Sequence, residues 1–399
     1  MSGFVLFDDA VARRFEPFAL TRPAGELRAG ARLIRERWAQ VLGAEAIGFI
    51  GAPHLADFDE PGAPPAARGV LPAGTLVVHA RCAPALTARI AAGATMVMVD
   101  QRIAAVRLAA ETPVTALADG TRSLETLGTR TGVMARVEGW WLEAPWDLVR
   151  HLPTMLAADL LAEIPATLDR PAGLTVLGTH PIHIDPSATI EPMVLIDASA
   201  GPVVVRRGAL VQAFTRLVGP CVIGEDAVVA GGRVACCSIG ERSKVHGELS
   251  VSIVIGHANK GHDGFVGHSV IGRWVNLGAG TITSNLKNSY GPVRCWSPQG
   301  MQATGMTFLG SLLGDHVKTG IGTRLSTGSV IGAGANVFGS AMPPTVVPPF
   351  TWGEVSQGER FALDRFLLVA DRMMGRRDLA LSEGMRACLA AAYAARWSA

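Results

Sequence analysis

Ile223-Gly-Glu-Asp-Ala-Val228, Ile271-Gly-Arg-Trp-Val-Asn276 and Ile331-Gly-Ala-Gly-Ala-Asn336 share one layout: a branched apolar residue, a glycine, then mostly small or polar residues before the next apolar start. Around them the phase extends through Ile184, Ile190 and Ile196, then Val205, Val211, Leu217, Ile223 and Val229. It returns at Ile271 and Leu277, and again at Leu325, Ile331 and Val337. A period of six suits neither a helix near 3.6 nor a strand of period 2. It suits a parallel β-helix of hexapeptides, one per flat face, with the aliphatic residue pointing into a triangular prism. Glycine suits the corners because it tolerates positive φ. Three hexads per turn allow up to about eight or nine turns over 184–340, less any insertions. The phase breaks between Thr283 and Gly320, which predicts a loop leaving the prism.

Before the repeats the pattern changes. Phe4–Phe7, Ile47–Ile50, Leu76–His79 and Met96–Val99 read as strands, and Leu27, Ala31, Ile34 and Trp38 recur at helical spacing after Pro23. Alanine-rich Ala83–Ala92 reads as a further helix, so the expectation is an α/β domain with a parallel sheet and helical crossovers. Pro165–Gly173 reads as a linker. After Pro348, Leu363, Phe366, Leu367, Ala370 and Met374 follow helical spacing, and Ser382 is placed to cap a second helix. These helices are expected to pack on the prism. The expected organisation is 1–170 α/β, 175–345 left-handed β-helix and 346–399 short C-terminal helices.

With 36 basic against 34 acidic residues and no basic block, the 399-residue chain does not read as a nucleic-acid binder. No apolar run is long enough to span a membrane, and Asp8 and Asp9 interrupt the first apolar run as no signal peptide would. Six cysteines without Cys-x-x-Cys spacing predict reduced thiols and a cytoplasmic location. Only four of the 36 basic residues are lysine: Lys244, Lys260, Lys287 and Lys318, all in one stretch. Arginine-favouring usage explains the scarcity; the clustering suggests sites where an ammonium serves and a guanidinium does not.

Polar residues are densest where the lysines lie. His262-Asp-Gly-Phe265-Val-Gly267-His-Ser269-Val-Ile271-Gly272 runs on into Asn276-Leu-Gly-Ala-Gly-Thr-Ile-Thr-Ser-Asn285. This run resembles the acetyltransferase half of the bifunctional glucosamine-1-phosphate acetyltransferase/N-acetylglucosamine-1-phosphate uridyltransferase family (GlmU type). Leu20-Thr-Arg-Pro23 and Lys260-Gly-His-Asp-Gly264 are similar to a divergent branch of sugar nucleotidyltransferases. The resemblance implies transfer of acetyl from acetyl-CoA to the amine of an amino-sugar phosphate. It implies a homotrimer too, with sites between subunits.

By the same resemblance His262 stands at the position of the base, which must take a proton from the attacking amine. Ala279 matches a contact to the acyl oxyanion, Asn276 one to the sugar and Asn285 one to acetyl-CoA. Lys260 is assigned to substrate. Phe265 replaces an aromatic hydroxyl, Leu286 replaces a tyrosine, and Lys287-Asn-Ser-Tyr-Gly291 replaces a basic loop, which leaves the acceptor sugar open. Asparagines in such repeats also cap corners, and Lys287 and Lys318 also read as surface charges. A rival reading takes His257 and His262, with His246 or His316, as the zinc ligands of a γ-carbonic-anhydrase-like hydratase. A third is a non-catalytic scaffold that binds a sugar nucleotide.

The front domain lacks the family's Gly-x-Gly-Thr-Arg loop and has no lysine. In Phe18-Ala-Leu-Thr-Arg-Pro-Ala-Gly-Glu-Leu-Arg-Ala-Gly30, Arg22 and Arg28 could hold the phosphates of a nucleoside triphosphate, with Asp8 or Asp9 on Mg2+. An ordinary helix entry with surface arginines reads equally well.

Overall fold

The structure is a computed structural model that describes residues 3–129, 132–164, 173–354 and 358–396. The expected linker falls almost wholly outside these. The chain divides into two compact units, Met1–Pro145 with Ala380–Ala399, and Trp146–Leu379.

The second unit is a parallel β-solenoid, and its longest ladder runs through ten strands from Thr175–Gly178 to Trp352–Gly353. On another face Ile184, Val205, Ile223, Ile239, Val254, Ile271, Leu313, Ile331 and Val347 pair coil to coil without a break. From Val205 on, each is buried in one continuous core. Burying such a side chain stabilises by about 1.5–3 kcal/mol, so every coil needs its aliphatic and the period persists in the sequence.

Two positions hid the phase. Lys260 pairs with Val245 and Thr319 with Leu277, so a polar residue stands in each place where the column otherwise carries an aliphatic. Thr319 is tolerated because its hydroxyl meets that of Thr281 at 2.8 Å and accepts from the Gly278 N–H. The insertion is shorter than expected. It leaves after Ile282–Thr283, contains the hairpin Arg294–Ser297/Gly300–Ala303, and rejoins at Leu312–Leu313.

Glycine is not the only corner residue. Along one edge Asp226, Arg242, His257, Trp274, His316 and Phe350 all hold φ between 52° and 61°. A bulky residue there is strained, so packing must hold it. The helices α1 (Ile34–Leu42), α2 (Leu152–Glu163), α3 (Leu363–Gly375) and α4 (Glu383–Ala395) include one that does so. From α3, Phe366 packs on His316 and Phe350, and Arg377 just beyond lies over Trp274. The C-terminal helices therefore part: α3 lies on the solenoid, while α4 belongs to the first unit, where the Asp59 N–H reaches the Met385 sulfur. Ser382 caps α4 through the Met385 N–H.

The first unit holds a six-stranded sheet built from β1 (Phe4–Phe7), β2 (Ala46–Ile50), β3 (Leu76–His79), β4 (Ala94–Val99), β5 (Arg102–Arg107) and β6 (Val133–Arg136) in the order β6-β4-β5-β3-β1-β2. It is mixed rather than parallel, because β5 runs antiparallel to both neighbours. Asp100 and Gln101, with φ of 50° and 61°, turn the chain straight back from β4 into β5, as two positive-φ residues do in a tight hairpin. The helix expected from Leu27 begins only at Ile34; a short hairpin turning at Gly30 precedes it. Ala83–Ala92 is not helical either. Cys82–Pro84 pairs with Gly139–Trp141, and the N–H groups of Ala85 and Ile90 bond to distant carbonyls.

Candidate active site

Adjacent strands lie about 4.8 Å apart, so residues in parallel register form straight stripes. On the outer side of the ten-strand ladder one stripe reads Lys244, Asn259, Asn276, Lys318, Asn336. Asn259 donates to the Asn276 carbonyl oxygen at 2.8 Å. Lys244 and Asn276 are exposed; the half-buried Lys318 donates to the His316 carbonyl, and burial lowers its pKa to about 8. Beside the first three lies a cavity of about 730 Å³, lined further by His257, His262, Arg242, Asp226 and, from the end of α3, Arg376, Arg377 and Asp378.

His262 sits exposed at the corner that follows Asn259–Lys260. Lys260 accounts for its position. Only 2% exposed, this lysine donates to the backbone carbonyls of both His246 and His262. Burial lowers its pKa to about 8, with Asp263 opposing. The expected substrate lysine thus touches the base's own backbone from inside the prism. The next coil brings Gly278–Gly280 beneath the same corner, where the Gly280 N–H bonds the Asp263 carbonyl at 3.0 Å. The Gly278 N–H is taken by Thr319. The Ala279 N–H meets no acceptor among the described residues.

Asn285 lies apart from this corner. Its amide is 2.9 Å from His268 Nδ1, and His268 stacks on Phe308 with its pKa lowered by burial. Gly267 permits this packing, since a Cβ there would stand 2.4 Å from the Phe265 ring and 2.6 Å from the Asn285 amide.

The histidines of the zinc reading do not converge. His257 is buried, 2.8 Å from an Arg273 guanidinium nitrogen and packed at a tilt against Trp274. His246 bonds the Ala230 carbonyl through Nδ1 at 2.7 Å and faces Asp263 through Nε2. His316 packs on Phe366. No group of three or more His, Cys, Asp or Glu able to hold a metal ion occurs among the described residues. A hydratase needs three such ligands on one ion, and the reading is withdrawn.

In the first unit the expected ligands are turned inward. Arg22 forms a two-pronged pair with Glu60 at 2.9 and 3.1 Å, with Arg22 1% and Glu60 8% exposed. Arg28, also buried, donates to the Ala31 carbonyl. Asp9 accepts from Arg81 and from the Val11 and Ala12 N–H groups. Asp8 is buried, accepts from the Ala24 N–H, and its pKa is pushed up to about 7 by burial. Mg2+ requires free, ionised oxygens. Here Asp9 is saturated, while the buried Asp8 keeps its Oδ1 without a partner among the described residues, so that oxygen is the one of the pair open to such an ion.

Residues 4–163 match the family model described as sugar nucleotidyl transferase. Those residues are similar to sugar nucleotidyl transferases. The matched region takes in the first unit's sheet and extends through α2, which the fold groups with the solenoid. Curated relatives that the chain resembles are named as bifunctional proteins. A bifunctional sugar-1-phosphate nucleotidylyltransferase/acetyltransferase of Sulfurisphaera tokodaii is 33% identical over 104 residues, 26% of either chain. The bifunctional protein GlmU of Methanococcus maripaludis strain C7 is 36% identical over 92 residues, 22% of either chain. That of Bordetella parapertussis is 33% identical over 179 residues, 41% of this chain and 36% of the relative. In each case the match spans well under half of the relative's length. No helix among the described residues is long and apolar enough to cross a membrane.

Sequence reasoning missed most of the cavity. Asn259 and Lys244 had a signal, since each stands one place before a residue of the inner column. Arg376 and Arg377 had none, because nothing local ties the end of α3 to that face.

Proposed function

We propose that the solenoid transfers acetyl from acetyl-CoA to the amine of an amino-sugar phosphate, within a bifunctional chain whose first unit is a sugar nucleotidyl transferase domain. The observation that carries this is the corner where exposed His262 stands over Ala279 of the next coil, beside Asn276 and a cavity large enough for a sugar phosphate. In the reaction the amine nitrogen bonds to the acetyl carbonyl carbon and the C–S bond breaks, releasing thiolate. The His262 imidazole takes the amine proton and returns it to the leaving sulfur. The Ala279 N–H, without another acceptor, is available to the oxyanion. Asn276 orients the sugar, and Asn285 serves the acyl donor at the far edge of its face. Lys260 holds the backbone under the base rather than the substrate.

The corner column that continues from His262 and Ala279 to Ile321, which is 85% exposed, suits burial against another copy, and a homotrimer is the assembly proposed. For the first unit we propose a sugar phosphate and a nucleoside triphosphate as substrates. No step is assigned to Arg22, Arg28, Asp8 or Asp9. The test is thiol release from acetyl-CoA with glucosamine 1-phosphate, comparing the full chain with His262→Ala. Equal rates remove His262 as base, and no release from the wild type with any amino-sugar phosphate removes the acetyltransfer reading.

A further inference from the structure

The cavity beside His262 carries positive charge that the fold does not neutralise. Four cations line it: Arg242 and Lys244 from the solenoid, Arg376 and Arg377 from the end of α3. Two acids oppose them. Asp226 stands 3.7 Å from Arg242, and Asp378 follows directly on Arg377. Arg377 donates to the Arg242 carbonyl, and its pKa is lowered by burial and by the adjacent Arg376 charge. The side chains of Lys244 and Arg376 are exposed and make no hydrogen bond or ion pair among the described residues.

A helix C-terminus favours cations on its own account, which would explain Arg376 and Arg377 without a ligand. It does not explain Lys244, which projects from the solenoid strand into the same cavity. Two like charges side by side and a third facing them repel one another unless an anion joins them. Paired guanidiniums and an ammonium are the groups that hold phosphate oxygens, the former in a two-pronged fashion and the latter as a point charge.

We infer that this cavity is a phosphate subsite, in which Lys244, Arg376 and Arg377 hold the phosphate groups of a ligand whose reacting end lies at His262. The inference rests on the acetyltransfer reading only for that last clause. Two ligands of the reaction carry phosphate: the acyl donor through coenzyme A, and the acceptor through its phosphomonoester. The polar floor of Asn259 and Asn276 beneath the cations accommodates a sugar hydroxyl or a phosphate ester alike.

The experiment is calorimetric binding to the full chain, without turnover, in two pairs of probes: coenzyme A against pantetheine, and glucosamine 1-phosphate against glucosamine. Lys244→Ala and Arg376→Ala remove exposed, unpartnered side chains, so the fold should survive; thermal melting checks this. Each should weaken the phosphate-bearing member of one pair about tenfold or more, leave its phosphate-free counterpart unchanged, and reduce the salt dependence of binding. The pair that responds identifies the source of the phosphate. Unchanged affinity for both phosphate-bearing probes would overturn the subsite, as would a wild type that binds neither. His262→Ala separates the two claims, since it should abolish turnover and leave these affinities intact. Loss of binding in the arginine and lysine variants with no turnover in any protein would keep the subsite and reject the base.

Discussion

In the first unit Arg22 closes on Glu60, Arg35 on Glu26, and Arg81 on Asp9 and Glu143, each with a buried or nearly buried guanidinium. Along the solenoid cavity Lys244 and Arg376 stand exposed and unpaired among the described residues. The same residue classes thus perform opposite tasks. Where a cation is enclosed, leaving it unpaired costs several kcal/mol, and the fold supplies a carboxylate. Where it stays solvated it costs little and remains available to a ligand. The contrast explains why the first unit's arginines, though placed by sequence near a strand end, are not free to bind phosphate.

The largest effect expected on either side is catalytic. His262→Ala should lower the acetyl-transfer rate by about 10²–10⁴, as loss of a general base does, measured by thiol release at saturating substrate. The structural counterpart is Arg22→Ala, which strands Glu60 in a buried site and should cost about 3–5 kcal/mol in urea unfolding. Lys244→Ala should move the same transition by less than about 0.5 kcal/mol. If the two variants unfold alike, the contrast between the units fails.

Asp8→Asn sharpens it further. The folded carboxyl titrates near 7 against a usual 3.8, so the native state holds a proton the unfolded chain has lost, and Asp8 costs stability as pH rises from about 4 through 7. Asparagine keeps an acceptor for the Ala24 N–H. The variant should therefore be more stable than wild type at pH 8, with the difference closing below pH 4; denaturant midpoints at the two pH values decide it.

Lys260→Met tests the interior of the solenoid. It leaves the His246 and His262 carbonyls without their donor and should cost about 1–3 kcal/mol at pH 7. Because the folded amine titrates near 8 against 10.5, the unfolded chain binds more protons between those values, and Lys260 raises wild-type stability as pH climbs through that window. The gap to the methionine variant should widen from pH 8 to pH 10. A gap that stays constant would mean that the ammonium is not enclosed.

Much of the solenoid was legible because its physics repeats. Each coil must bury an aliphatic, so Ile223, Ile271 and Ile331 announce themselves at any distance. Legibility failed where a polar side chain was satisfied inside the prism: the Thr281–Thr319 pair and Lys260 look like loop residues until their partners are known. It failed in the first unit for another reason. Nothing in Asp100-Gln101 marks a hairpin as clearly as Asn-Gly would, so the direction of β5 was hidden. The alanines of Ala83–Ala92 favour helix locally, and distant carbonyls outweighed them.

The sequence by itself determined the solenoid, the order of its motifs and the place of His262 one coil before Ala279, because these depend on local spacing and a burial requirement met in every turn. The clustered lysines were visible too, though not that Lys260 lies inside the prism and Lys244 outside it. Only the tertiary structure decided which charges are free. Arg22 met Glu60, and Arg376 met the face of Lys244, through approaches between segments far apart in the chain. Whether a charged side chain is cement or ligand depends on what stands within a few ångströms of it, and spacing along the chain does not carry that distance.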